Sequence, residues 1–387
     1  MTTTAPEWAT YARLLADLLR ERGDIETPEW HDAVEHVPRH AFVQRAYEQD
    51  PTGLWTSWET DAHWDRVYTP KTLVTALNSR RGYPEPASSS TNPELMVRML
   101  EMLDLRDSHR VLEIGTGTGY NAALLSRRLG DTRVFSVDID PELVALAGQR
   151  LRTAGYRPTL AAVDGQDGLP EHAPYDRIIA TCSAPAVPLS WAEQLAPGGS
   201  VLVDLKLAIS AGNLVHLNRR ADGTLEGRFA TRWASFMAMR HHGDLPVSAP
   251  RVEQAEDGRS RATAAPVPPW GTPVVWFLAH AAGLPRGVEF GALLDPESRT
   301  PYAASLTGPD GSWARVSLSD HTVTEAGNTS LWEPVERAYR VWVDTDRPGW
   351  DRLGLTVDAD GHNTVWLDEP DGEHTWLLPA DDTPMRA

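Results

Sequence analysis

One cysteine in 387 residues is too few for an intramolecular disulfide or a multi-cysteine zinc cage, so Cys182 leaves the chain without either kind of cross-link. Lysine is almost as scarce. Lys71 and Lys206 are the only two among 36 basic residues, a bias that we ascribe to genome base composition and that carries no functional weight. Positive charge as a whole is outnumbered, 36 basic residues against 54 acidic ones, which gives a formal net charge of −18. With a pI near 5.1 the average surface repels a phosphate backbone or an anionic bilayer, which argues against nucleic acid and membranes as partners. The N-terminal stretch MTTTAPEW has neither a basic region nor an apolar run of the secretory kind, and a cytoplasmic protein is expected. What is present is ordinary: 41% hydrophobic and 23% charged residues, enough for one large domain and a smaller one.

Four stretches differ in pattern. Over residues 8–47, Leu14, Leu15, Leu18 and Leu19 recur at helical spacing, and AVEHVPRHAFVQ comes after the start signal at Pro28, so helices are expected. Residues 48–91 are rich in Trp, Pro, Ser and Gly without a long periodic run and read as irregular structure packed on the domain C-terminal to them. From Pro93 to about Leu245, short apolar runs alternate with helix-length segments. RVLEIG, VFSVDI, RIIATC and SVLVDL are strand candidates, and NAALLSRRL, PELVALAGQRLRTAG and PLSWAEQLA are amphipathic helices, a pattern that predicts an α/β fold with a parallel, doubly wound sheet. A Pro-rich break near residues 246–275 reads as a linker. Eight of the fifteen tryptophans lie in the last 120 residues, with Trp332, Val335, Tyr339 and Trp342 on one helical face and RLGLTV, DADG, NTVWL reading as a hairpin. A small α+β domain over 276–387, its tryptophans serving as core, is expected.

VLEIGTGTGYNAALLS places Gly115, Gly117 and Gly119 between a strand and a helix, where missing side chains let a ligand approach the backbone and the helix N-terminus. By itself the turn suits a dinucleotide or an adenosylmethionine, and Asp138 at the end of the next strand could hold a ribose diol in either. Glu113 tips the balance, because an acidic group two residues before the first glycine disfavours a pyrophosphate and tolerates a cationic sulfonium. VDG at 163–165 then stands after the third strand candidate, where a carboxylate could take an adenine amino group.

VLEIGTGTGY, VDIDPEL, VDG, PYDRII and LAPGGSVLV, preceded by AVEHVPRHAFV, closely resemble the protein-L-isoaspartate O-methyltransferases over roughly residues 12–240. The resemblance implies a Rossmann-like class I methyltransferase sheet that binds S-adenosylmethionine and releases S-adenosylhomocysteine. It implies cofactor contacts at Gly115, Gly117, Gly119, Asp138, Asp164 and Gly165, with Glu113, Thr116, Tyr120 and Ile139 completing the set. Two features depart from the family's repair enzymes. Their Thr–Ile–Ser–x–Pro motif is replaced by Ser89, Ser90, Thr91, Asn92, Pro93, and about 140 residues are added at the C-terminal side. Both resemble the branch paired with ATP-grasp ligases in ribosomal peptide biosynthesis. That likeness implies esterification of an aspartate in a macrocyclised precursor peptide, the ester then closing to an aspartimide. The alternatives are isoaspartyl repair with an accessory domain and a non-catalytic module that captures the precursor.

An aspartate with a pKa near 3.9 is already a nucleophile at neutral pH, so no general base is required. Alignment of oxygen, methyl carbon and sulfur is what the protein can add. Hydroxyls suit that task, and Ser89, Ser90 and Thr91 are the expected carboxylate-orienting donors, whereas Asn92 and Pro93 read as a helix cap and its first residue. Cys182 reads as a small strand-end residue, and Asp176 as fixing a strand's entry. Adjacent His241 and His242 would point to opposite faces of a strand and suit no shared metal, while DADG lacks the later glutamate of a calcium loop. No metal site is expected.

Overall fold

The computed structural model describes residues 7–61, 63–80, 83–241 and 258–379. The chain forms two compact units, one of Met1–Thr181, Ser190–Leu202 and Met239–His242, the other of Cys182–Leu189, Val203–Ala238 and Gly243–Ala387. The segment before Pro93 thus joins the first unit, and residues 203–238 of the expected sheet domain fall in the second.

In the first unit, strands Tyr175–Ala184, Val111–Ile114, Val134–Asp138 and Thr159–Ala162 are neighbours in that order, and all pair in parallel. Every residue of VLEI and VFSVD is buried, the run of inward positions that a parallel sheet covered on both faces requires. Helix Tyr120–Leu129 comes after Val111–Ile114, and helix Pro141–Thr153 after Val134–Asp138. Asp140 caps the latter helix by accepting from Glu142 N and Leu143 N, and Pro141 occupies its first turn.

Helices Glu7–Glu21, Pro28–His36 and Arg39–Phe42 occupy the N-terminal region, with Leu15 and Leu19 buried and Leu14 58% exposed. The segment expected to be irregular instead forms an antiparallel sheet in the order Trp55–Glu59, Arg45–Gln49, Leu73–Arg80, Tyr83–Ser90. The first two of these strands are largely uncovered on both faces, so no alternation of apolar residues betrays them. The turn joining them is set by Asp50, whose Oδ1 accepts from Thr52 N and Leu54 N, and by Gly53 at φ +88°.

In the second unit, Ala211–Arg219, Leu225–Phe229, Leu353–Val357, Asn363–Leu367 and Thr375–Leu377 are consecutive neighbours, and a five-stranded sheet runs Arg259–Ala262, Thr322–Ala326, Trp313–Ser317, Pro301–Thr307, Glu289–Leu294. The hairpin read from RLGLTV and NTVWL pairs Leu353 with Leu367 and Val357 with Asn363. Asp358 sets its turn by accepting from Asp360 N and His362 N. Trp276, Trp313, Trp332, Trp350 and Trp366 are buried, as core packing requires. Part of the segment expected as a linker is ordered: Arg259–Ala262 pairs with residues 322–325, and helix Pro273–Ala281 begins within it. PVVWFLAHA is apolar on every face except at His280 and is buried from Val274 to Ala281, which explains why no amphipathic pattern marks it. Residues 246–257 of that linker lie outside the described residues. Among the described residues, no helix is long and apolar enough to cross a membrane.

Candidate active site

The glycine turn is built on left-handed backbone. Gly115, Gly117 and Gly119 have φ values of +96°, +51° and +88°, a region that side chains strain to enter. Gly115 N and Thr116 N both donate to Val137 O, at 2.8 and 3.0 Å, which ties the turn to the neighbouring strand. Gly117 N donates to Asp138 Oδ2 at 2.9 Å, and Asp140 N donates to Asp138 Oδ1 at 3.2 Å. These bonds fix the carboxylate at the carboxyl end of its strand, where doubly wound sheets bind ligands.

Asp164 is held in the same way, accepting from Gln166 N at 3.0 Å as it caps a short turn. Gly165 O accepts from the indole of buried Trp191 at 2.9 Å. A Cβ on Gly165 would stand 2.6 Å from Ile114 Cγ2, so the close approach of the two chain segments demands glycine. Two carboxylates oriented by backbone amides, beside an open glycine backbone, match the hydroxyl and amino donors of an adenosine moiety. They therefore fit S-adenosylmethionine, with Asp138 suited to the ribose and Asp164 to the base. Ile139 is half-buried directly after Asp138.

Three other residues expected at the cofactor lie behind the turn. Glu113 is 1% exposed and accepts from Asn121 Nδ2 at 2.7 Å and Ser136 Oγ at 2.5 Å. Thr116 is buried with its hydroxyl 2.7 Å from Ser136 Oγ. Tyr120 is buried too, its ring 5.9 Å from that of Phe42 and 6.0 Å from the Arg39 guanidinium. The sequence shows the order of these residues but not which way each faces. The reading of Glu113 as an acidic neighbour of a sulfonium is thereby replaced by a structural one: it links strand, turn and helix.

Burial pushes the Glu113 carboxyl up to about 7; the hydrogen bonds from Ser136 and Asn121 oppose that shift, and the charge of Asp138 adds to it. The folded state thus holds this proton more tightly than the unfolded one. The resulting stability is complete below about pH 4.5 and is lost as the pH rises through about 7. Glu113→Gln, which removes the charge and keeps the shape, is expected to flatten this dependence by roughly 2–3 kcal/mol. Urea midpoints of both proteins measured from about pH 5 to 8 would show it, and parallel curves would refute it.

The hydroxyl run divides by strand alternation. Ser89 is half-buried at the end of strand Tyr83–Ser90, paired with Val74, and its carbonyl lies 3.8 Å from where a Gly117 Cβ would stand. Ser90 is 2% exposed and its Oγ lies 3.5 Å from Arg39 Nε, which assigns it to the interior. Thr91 is half-buried, and Asn92 caps helix Pro93–Met102 by accepting from Glu94 N at 3.0 Å. Ser89 and Thr91 are thus the hydroxyls on the accessible side.

Sequence reading missed several residues around the site. Arg39 has no accessible surface and donates to Val67 O, Thr69 O, Lys71 O, Ser90 O and Thr91 O. Arg240 Nη2 lies 3.7 Å from Asp138 Oδ1, and His241 Nδ1 lies 3.1 Å from Asp164 Oδ1. His242 lies outside the described residues. Cys182 is half-buried. Asp176 accepts from Arg110 N at 2.8 Å, tying the start of its strand to the strand beside it.

The profile of the family described as protein-L-isoaspartate(D-aspartate) O-methyltransferase matches residues 11–238. The chain belongs to the protein-L-isoaspartate O-methyltransferase family. Protein-L-isoaspartate O-methyltransferase 1 of Archaeoglobus fulgidus is 36% identical over 195 residues, covering 50% of this chain and 78% of the relative. Its counterpart numbered 2 from Pelobacter propionicus is 34% identical over 215 residues, covering 54% of this chain and 81% of the relative. A solved structure titled protein-L-isoaspartate O-methyltransferase aligns with a TM-score of 0.54 at 22% identity, covering 92% of this chain and 100% of its own. The fold is therefore the class I methyltransferase fold with added N- and C-terminal segments. The enzyme is an S-adenosylmethionine-dependent protein carboxyl O-methyltransferase. These likenesses carry the isoaspartyl reading further than the macrocyclic-peptide one, on which they are silent.

Proposed function

We propose that the chain methylates the free carboxylate of an isoaspartyl-type residue in a peptide or protein, with Ser89 and Thr91 as the donors that orient it. The observation that carries this reading is the approach of the Ser89 carbonyl to Gly117, which brings the hydroxyl segment to the glycine turn. The Gly115–Gly119 turn, Asp138, Asp164 and Gly165 would hold S-adenosylmethionine, which would supply an electrophilic methyl group. Thr91 and Ser89 hold a carboxylate oxygen in line by donating hydrogen bonds, and leave its reacting lone pair free. An arginine ion pair there would bind both oxygens and blunt the nucleophile. Since an isoaspartyl carboxylate is ionised at neutral pH, these residues have no proton to remove.

A second reading keeps the same chemistry and changes the substrate: an ordinary aspartate in a macrocyclised ribosomal precursor, whose methyl ester closes to an aspartimide. It is favoured by Ser89–Ser90–Thr91–Asn92–Pro93 standing where the repair enzymes carry Thr–Ile–Ser–x–Pro. One peptide sequence, prepared in isoaspartyl, linear aspartyl and ring-closed aspartyl forms, separates the readings. Preferential gain of one methylene mass by the isoaspartyl form supports the first, and preference for the ring-closed form replaces it with the second. With whichever form is turned over, Thr91→Val is expected to lower kcat/KM about 10- to 100-fold, the equivalent of one hydrogen bond to a charged group. S-Adenosylhomocysteine affinity should stay as in the parent, and unchanged turnover would return Thr91 to a structural role.

A further inference from the structure

Asp138 and Asp164, the two carboxylates assigned to the adenosine moiety, are also the two approached by a single short segment from more than 70 residues further along the chain. Met239 packs its sulfur against Gly165, 3.1 Å from where a Cβ there would stand. The next residue sends Arg240 Nη2 to 3.7 Å from Asp138 Oδ1. The one after it sets His241 Nδ1 3.1 and 3.2 Å from the two oxygens of Asp164. One dipeptide thus reaches two separate carboxylates.

A carboxylate offers about four lone-pair positions. On Asp138, Gly117 N and Asp140 N take two, leaving about two, the number a ribose diol needs, and Arg240 is directed at one of them. On Asp164, Gln166 N takes one position, and His241 spans both oxygens where an exocyclic amine would have to donate. The strap and a nucleoside therefore compete for the same acceptors. Arg240 is about one-third exposed, so it can swing into water with little loss of packing.

We propose that Met239–His241 is a strap across the cofactor site, whose Arg240 and His241 side chains occupy the nucleoside's acceptors in the free enzyme and must yield them on binding. The proposal rests on the assignment of Asp138 and Asp164 to the cofactor. Such a contact lowers apparent affinity by the fraction of molecules in which the strap is closed, and it favours release of the spent cofactor.

Calorimetric titration of the full chain with S-adenosylhomocysteine, and separately with adenosine, tests this without catalysis. Arg240→Gln and His241→Ala are each expected to tighten both ligands about 3-fold, and the double variant about 10-fold, as for a strap closed in roughly nine-tenths of free molecules. The gain should be equal for the two ligands, because the contacts concern only the nucleoside. Unchanged or weakened binding in the double variant would overturn the strap and make these residues mere supports of the carboxylates. Asp138→Ala and Asp164→Ala serve as the controls. If neither weakens binding, the cofactor assignment fails; if they do and the strap variants show no gain, the strap alone fails.

Discussion

Replacing Asp138 by alanine is expected to weaken S-adenosylhomocysteine binding by about a hundredfold or more, the largest single effect on the cofactor in this site. A hydrogen bond to a charged group contributes roughly 1.5–3 kcal/mol, and a ribose diol can make two. Water in the vacated space offsets part of the loss, which brings the expectation to about 2.7 kcal/mol, the equivalent of a hundredfold. A second consequence adds to the first. Gly117 N, 2.9 Å from Asp138 Oδ2, would lose the acceptor that holds the turn at its left-handed φ. Asp138→Asn should fall between, near tenfold, because the amide keeps one acceptor and turns a donor toward either the diol or Gly117. Calorimetry on the three proteins checks the order. Affinity within about threefold of the parent in Asp138→Ala would remove the nucleoside from this carboxylate.

The parts of this site that could be read from the sequence are those whose backbone demands a residue type. Gly115, Gly117 and Gly119 announce positive φ, and buried VLEI and VFSVD announce a parallel sheet, because such a sheet hides consecutive side chains on both of its faces. Asn92 before Pro93 announces its helix for a similar reason, and the cap bond to Glu94 N is present. What stayed hidden depends on direction or on distance along the chain. Glu113 looks like a site residue in one dimension and faces Asn121 and Ser136 in three. The N-terminal sheet escaped notice because Trp55–Glu59 and Arg45–Gln49 have no buried face with a period of two. Arg240 and His241 carry no local signal at all. Their meaning comes from carboxylates 102 and 77 positions away in sequence (240 − 138 and 241 − 164).

Removal of the Arg39 side chain is expected to have the largest effect on stability, roughly 3–5 kcal/mol, although in sequence Arg39 is merely a basic residue in a short helix. Its guanidinium is fully buried, and burial pulls its pKa down to about 10, still well above neutrality, so the charge persists. Backbone carbonyls compensate that charge, a task that ordinarily falls to a carboxylate. Val67 O and Thr69 O meet Nη1 at 2.7 and 3.0 Å, and Lys71 O meets Nη2 at 2.8 Å. Thr91 O and Ser90 O share Nη2 at 3.2 and 3.4 Å. A fixed fork of five N–H donors can serve carbonyls from two chain segments at once. Lysine offers three donors at a single point, so Arg39→Lys should recover only part of the loss, and Arg39→Met, similar in length and without donors, none of it. Each carbonyl left dry costs about 1–3 kcal/mol before relaxation, which is why the total exceeds an ordinary surface change. The functional consequence comes from geometry. Because Ser90 O and Thr91 O are anchored here, the Ser89–Thr91 segment loses its fixed distance from Gly117 when the anchor goes. In Arg39→Lys, the variant with better prospects of folding, KM for the peptide should rise several-fold while S-adenosylhomocysteine affinity holds. Urea midpoints within the equivalent of about 1 kcal/mol of the parent for Arg39→Met, or parallel losses of peptide and cofactor binding in Arg39→Lys, would show that the guanidinium does not hold this segment in place.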